Sequence, residues 1–199
     1  MNKKAIQHLK KDPILKKVIE NSPVIKPSLE LDIYHFLLDS VVSQQLSIKV
    51  ADVIFNRFLD LFPERYPHPK LLLNIDDDTL RAKGLSYRKA SYLKNIAQFS
   101  LENNLDFEYI QQKSDAELLK HFTQIKGIGN WTVQMLLMFP LNRPDVFPVD
   151  DLGIQTNMKK LYNLSSEKKE LKKEITQIAE NWQPYRTLAS KYIWNYTKK

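Results

Sequence analysis

Half of the chain's four glycines fall in one stretch, I-K-G-I-G-N-W-T, at Gly127 and Gly129. A glycine-containing turn between two helices leaves the N–H groups at the start of the second helix unpaired, and it lets another backbone come close. The helix dipole adds partial positive charge at the same place. Such a turn can therefore seat a phosphate without reading base sequence. An ordinary tight helix–helix turn with glycine at the C′ position explains the same residues. Further along stand two adjacent acids, Asp150 and Asp151, in F-P-V-D-D, where helical periodicity resumes. A carboxylate at that point pairs with the free N–H groups of a helix start.

The composition narrows the chemistry. The chain has 199 residues and no cysteine. Disulfides, thiolate zinc sites, cysteine nucleophiles and cysteine-held iron–sulfur clusters are excluded. The formal charge of +7 is unevenly spread. Residues 159–199 carry ten Lys and Arg against four Glu, a net of +6. This basic segment suits a polyanion partner, or it is a solvated lysine-rich helix face. No stretch reaches the roughly 18 apolar residues of a membrane helix, and the N-terminus M-N-K-K-A-I-Q-H has no apolar signal core. The expected location is the cytoplasm, with no membrane partner.

The elements that must position these residues read as many short helices. Ile33–Leu38 and Val41–Val42 lead into Val50, Val53, Ile54, Phe55 and Phe58 at spacings near three and four. Between them lies the polar interruption S-Q-Q-L-S, with Ser43 and Ser47 as capping serines. The Pro-rich F-P-E-R-Y-P-H-P-K reads as a loop. Asp76–Asp78 can cap a short helix that ends at Gly84. Ser86 caps the next, with Tyr92, Leu93, Ile96 and Phe99 as its inner stripe. Ser114 and Glu117 form a capping box ahead of Leu118, Leu119 and Phe122. A helix starts near Asn130, and another follows Asp150 and Asp151 with Ile154, Met158 and Leu161 on one face. Two last helices span about 171–182 and 185–196, joined at Trp182-Gln183-Pro184. No strand pattern or repeat is visible, so the fold class is all-α.

Four motifs in order carry a family resemblance: D-S-V-V-S-Q-Q-L-S-I-K-V-A-D-V-I-F, L-R-A-K-G-L-S-Y-R-K-A, the G-I-G turn with F-P-V-D-D, and N-W-Q-P-Y-R-T-L-A-S-K-Y-I-W. Together they cover most of the chain, and it resembles the helix-hairpin-helix/GPD DNA glycosylases. Within that family it is most similar to the 3-methyladenine DNA glycosylase II (AlkA-type) branch, in the compact form without an N-terminal sheet domain. The resemblance implies a two-lobed domain over residues 1–199, with a central lobe at about 31–140 and a second lobe from about 1–30 plus 141–199. Two departures stand out: Val149 replaces the glycine of the name-giving loop, and Met135 falls where some relatives place a tyrosine.

What the resemblance implies is hydrolysis of an N-glycosidic bond in base excision repair, on double-stranded DNA containing alkylated purines such as 3-methyladenine or 7-methylguanine. The enzyme would act as a monomer in the bacterial nucleoid or, in a eukaryote, the nucleus. By motif position Asp151 is the catalytic acid, stabilising an oxocarbenium-like transition state and activating water, while Asp150 takes the helix N-cap. Trp131 stands where bifunctional relatives carry a Schiff-base lysine, so no lyase activity is implied. Trp131, Trp194 and Met135 match base-pocket positions, and core packing is the plain alternative for both tryptophans. Lys126, Gly127, Gly129 and Thr132 form the phosphate-binding hairpin. Gln45 or Leu46 is the wedge that fills the hole left by a flipped nucleotide, unless the glutamines only face solvent. Arg186 buttresses the loop acids by an ion pair. No cofactor is implied beyond a structural Na+ or K+ held by backbone carbonyls near Thr123, Ile125 and Ile128. Two other classes stay open: a non-catalytic DNA-binding hairpin protein, and a glycosylase of the same fold for deaminated or oxidised bases.

Overall fold

The computed structural model describes residues 3–25, 27 and 31–196. Among the described residues every regular element is a helix. The order is α1 (Lys3–Leu9), α2 (Pro13–Glu20), α3 (Ile33–Ser43), α4 (Ile48–Leu59), a 3-10 turn at Pro63–Arg65, α5 (Pro69–Asn74), α6 (Asp77–Ala82), α7 (Tyr87–Glu102), α8 (Phe107–Gln111), α9 (Asp115–Phe122), α10 (Asn130–Met138), α11 (Leu152–Leu161), α12 (Lys168–Glu180) and α13 (Arg186–Trp194). None of these helices is long and apolar enough to cross a membrane. The chain forms two compact units. One is Leu29–Leu136, and the other combines Met1–Ser28 with Leu137–Lys199.

The caps follow the local sequence. Asp76 Oδ1 accepts from Thr79 N, and Ser86 Oγ accepts from Lys89 N. Ser114 and Glu117 close the expected capping box. Ser47 holds the N-cap position of α4, but its hydroxyl makes no cap bond, and Ser43 is the last residue of α3. The expected capping by this serine pair is thus not made by side chains. Helix α5 begins inside the Pro-rich stretch that reads as a loop. Pro69 sits in its first turn, where a missing N–H costs nothing.

In the unit Leu29–Leu136, α7 packs on α3 and α5. Leu37, Leu38, Val41, Leu72, Leu93 and Ile96 form the dry centre. Tyr92 and Phe99 of the expected stripe are only half-buried, and Ala90 and Ala97 complete the inner face. Small residues there let helices approach closely. Val50 and Val53, by contrast, stay exposed, as does Leu46.

In the second unit, α11 packs on α12 and α13, and α2 packs on α13. Ile154, Met158, Ile175, Trp182, Ala189 and Ile193 are buried together. Asp12, the N-cap of α2, also accepts from Tyr162 Oη and Trp182 Nε1 at 2.6 and 3.0 Å. Burial, then the Asp12 carboxylate, pushes the Tyr162 hydroxyl far above its usual range. Its proton therefore stays in place, and the three-residue network anchors α2 to the core.

Candidate active site

The G-I-G turn joins α9 to α10 in two tight steps, with Ile125 N donating to Phe122 O and Ile128 N to Ile125 O. Gly127 has φ +111°, and a Cβ built there would lie 2.3 Å from Tyr92 Cγ. Both the backbone and the ring demand glycine at this position. Gly129 is different. No atom lies within 4 Å of its would-be Cβ, and its φ is outside the left-handed region. Its carbonyl accepts from Val133 N, so a residue with no side chain stands at the head of α10. The N-terminal N–H groups of α10 thus open onto space that nothing from Gly129 fills. Lys126 is exposed beside them, and its carbonyl is held by Asn95 Nδ2 at 3.1 Å. Thr132 is only 1% exposed as a whole residue, and its Oγ1 lies 3.4 Å from Gln44 Nε2, so it sits inside the turn rather than on a face open to a phosphate.

The S-Q-Q-L-S loop is tied to this turn within the same unit. Gln44 Nε2 donates to Gly127 O at 3.1 Å and reaches Thr132 Oγ1 at 3.4 Å. Lys89 Nζ donates to Val42 O and Gln44 O at 2.6 and 2.9 Å. An ammonium at the C-terminal end of α3 meets carbonyls that carry partial negative charge. Burial, and then Arg88, lowers the pKa of Lys89. Gln45 and Leu46, the two candidate wedges, are exposed at the tip. Gln45 adopts φ +59°, a left-handed conformation that costs an ordinary residue on the order of 1 kcal/mol. Gln44 and Lys89 both lie in motifs, yet neither tether is legible in the sequence, and Gln44 turns in to the hairpin rather than facing solvent. Their roles depend on reaching carbonyls 45 to 83 residues away in the chain.

On α10, Trp131 and Met135 lie one turn apart, the indole half-buried and the methionine buried. The helix is apolar on nearly every side, the pattern of an element packed all round.

The acids belong to the other unit, and here one expectation is corrected. Asp151, not Asp150, is the N-cap of α11. Its backbone is extended (φ −71°, ψ 125°), and its Oδ1 accepts from Ile154 N at 2.8 Å. The helix starts only at Leu152, which leaves Asp150 one residue outside the cap position. The Asp150 carboxylate instead meets Lys172 Nζ of α12 at 2.7 Å, an exposed pair of small energetic weight. A second donor converges on the cap: Trp194 Nε1 lies 2.8 Å from Asp151 Oδ1. The Trp194 ring is stacked on Phe139 (5.9 Å between centroids, 18° between planes). Two N–H donors, one of them from the start of α11, thus converge on one carboxylate oxygen and orient it.

The loop ahead of Asp151 is fastened at several points. Arg186 grips Asp145 with Nε and Nη2 at 2.7 and 2.8 Å. This acid lies in the same loop but is neither of the pair Asp150–Asp151. The fork–fork geometry favours Asp145, whose main chain also meets the arginine side chain. Thr187 Oγ1 donates to Arg143 O and accepts from Val146 N. Gln155 Nε2 donates to Val149 O at 2.7 Å, so the residue in the name-giving glycine's place is held by its carbonyl.

Comparison with known proteins identifies the family. A model of the HhH-GPD superfamily base excision DNA repair proteins matches residues 38–184. The chain is 40% identical over 167 residues to DNA-3-methyladenine glycosylase 1 of Schizosaccharomyces pombe, covering 83% of this chain and 72% of that protein. It is 31% identical over 206 residues to the DNA-3-methyladenine glycosylase of Saccharomyces cerevisiae, covering 96% of this chain and 69% of that one. The solved structure of a Schizosaccharomyces pombe 3-methyladenine DNA glycosylase in complex with abasic DNA superposes with a TM-score of 0.86 at 36% identity, over 98% of this chain and all of that one. The family match runs from within α3 to the junction before α13, so it takes in both the glycine hairpin and the acid-bearing loop: the chain belongs to the HhH-GPD superfamily of base excision DNA repair proteins.

Proposed function

We propose that this protein is a monofunctional DNA glycosylase that removes alkylated purines, of the 3-methyladenine and 7-methylguanine type, from double-stranded DNA. The observation that carries the reading is the Asp151 carboxylate, held at Oδ1 by Ile154 N and Trp194 Nε1 in the loop that the family model spans. Beside a flipped nucleotide, that negative charge would stabilise the oxocarbenium character of the sugar as the bond from C1′ to the base nitrogen breaks. The bonding electrons leave with the base, which departs neutral because alkylation had made it cationic. Water adds to C1′, and its proton passes to the carboxylate and on to solvent. A cationic base needs little help from a general acid, and no histidine lies near Asp151 in sequence.

The other parts take supporting roles in this reading. Trp131 and Trp194 offer electron-rich rings that attract a cationic base. The turn at Gly127 and Gly129, with exposed Lys126, grips a phosphate through the N–H groups of α10. Gln45 or Leu46 fills the gap in the duplex. Backbone carbonyls at Thr123, Ile125 and Ile128 would bind Na+ or K+, since neutral oxygens suit a hard monovalent ion. The carbonyl of Ile125 already accepts one bond from Ile128 N and has a second lone pair to give. The protein would act as a monomer, where the cell keeps its DNA.

The test is to incubate wild type and Asp151→Asn with randomly methylated DNA and with duplexes containing 1,N6-ethenoadenine, hypoxanthine or 8-oxoguanine. Release of 3-methyladenine or 7-methylguanine by wild type alone is the expected result. Binding without release of any base would make it a DNA-binding protein only. Strand nicking without added alkali would contradict the monofunctional assignment.

A further inference from the structure

Gly153 is the second residue of α11 and directly follows the stretch that carries the cap. Its φ lies outside the left-handed region, so the backbone there accepts any residue. Alanine would be the better helix former at such a position. Local preference therefore argues against the glycine, and the reason for it lies in what surrounds the missing side chain. A Cβ built on Gly153 would stand 3.1 Å from Asp151 Oδ1, 3.2 Å from Trp194 Cδ1 and 3.5 Å from Trp194 Nε1. The first and last of these are the two atoms of the 2.8 Å hydrogen bond between the indole and the carboxylate.

We infer that Gly153 is a positioning residue for the reaction: its bare Cα is the space through which the edge of Trp194 reaches Asp151. The inference rests on the reading of Asp151 as the catalytic carboxylate. Both neighbours are held from other sides. Asp151 Oδ1 is tied to Ile154 N, and the Trp194 ring is stacked on Phe139. A methyl group at residue 153 would be closer to both than ordinary van der Waals contact allows. One of the two must then shift by a few tenths of an ångström, and the bond between them lengthens or tilts. The carboxylate would keep its helix cap and lose its second donor. Larger side chains would keep the indole away altogether.

The test uses the full chain and three measurements on Gly153→Ala: single-turnover release of 7-methylguanine from randomly methylated duplex, affinity for a duplex with an abasic site, and thermal melting. The release rate is expected to fall on the order of ten-fold, because small displacements at a reacting centre are costly. Affinity stays within about two-fold, and Tm is unchanged or higher, since alanine favours the helix. A structural defect alone would lower Tm and affinity together. Coupling to the indole is read in a Trp194→Leu background, where adding Gly153→Ala changes the rate by no more than about two-fold. A wild-type rate for Gly153→Ala overturns the inference, as does an equal loss in both backgrounds. Should Gly153→Ala fail to fold, the double variant with Trp194→Leu decides. Recovery of folding supports the collision with the indole, and continued failure overturns it. The underlying reading fails separately: release by Asp151→Asn sinks the catalytic assignment, whereas full-rate Gly153→Ala beside inactive Asp151→Asn sinks only the role of Gly153.

Discussion

Lys191 illustrates how one residue can sit against its own chemistry. It is only 8% exposed, with its ammonium 4.7 Å above the Phe139 ring that also stacks on Trp194. The ring attracts the cation, but burial pushes the lysine's pKa below its ordinary value. The folded state therefore holds this proton less tightly than the unfolded state. Stability gained by releasing it grows as pH rises between the lowered and the ordinary value. Replacing Lys191 with Met keeps the length and removes the charge. The expected outcome is a Tm higher by on the order of 2 °C near pH 7, with the gap to wild type narrowing as the buffer is raised towards pH 10. A lower Tm at pH 7 would show that the contact with Phe139 outweighs desolvation. At this scale motif position singles out Asp151 and Trp194 in the sequence, and the structure adds that the two side chains meet at 2.8 Å. It was not legible where one residue of register decides. Whether Asp150 or Asp151 caps α11 depends on the extended backbone at Asp151, which no residue type announces.

Among the elements, the α9–α10 hairpin joins both purposes of glycine in one turn. Gly127 is required by its own fold, through φ +111° and the Tyr92 ring, and Gly129 is required by nothing within 4 Å. The two alanine variants should therefore separate. Gly127→Ala is expected to lose roughly 1–3 kcal/mol in urea unfolding. Gly129→Ala should stay within about 0.5 kcal/mol of wild type and yet bind duplex DNA more weakly, because its methyl occupies the approach to α10. Equal affinity for Gly129→Ala and wild type would remove the phosphate seat from the account. Helix starts with a serine or aspartate followed by apolar periodicity could be read directly, as at Asp76, Ser86 and Ser114. The tether from Gln44 and Lys89 could not. Its partners are backbone carbonyls, which every residue carries, and only the folded chain selects Val42, Gln44 and Gly127.

For the molecule as a whole, apolar spacings near three and four made the all-helical class legible and the ordered motifs pointed to the family, while the pairing of elements had to come from the structure. If the proposed function holds, the formal charge of +7 favours a polyanion such as DNA. Binding should weaken steeply with salt, and Lys126→Ala should reduce the slope of log K against log salt by about one, the signature of a single lost phosphate contact. An unchanged slope would place Lys126 off the backbone path. All these effects surround one chemical event, and the most direct test addresses that event alone. Wild type and Asp151→Asn are mixed in excess with randomly methylated duplex DNA, and free 3-methyladenine and 7-methylguanine are quantified over a single turnover. Release by wild type and none by a folded, DNA-binding Asp151→Asn is the predicted result. Equal release by both proteins would contradict the account.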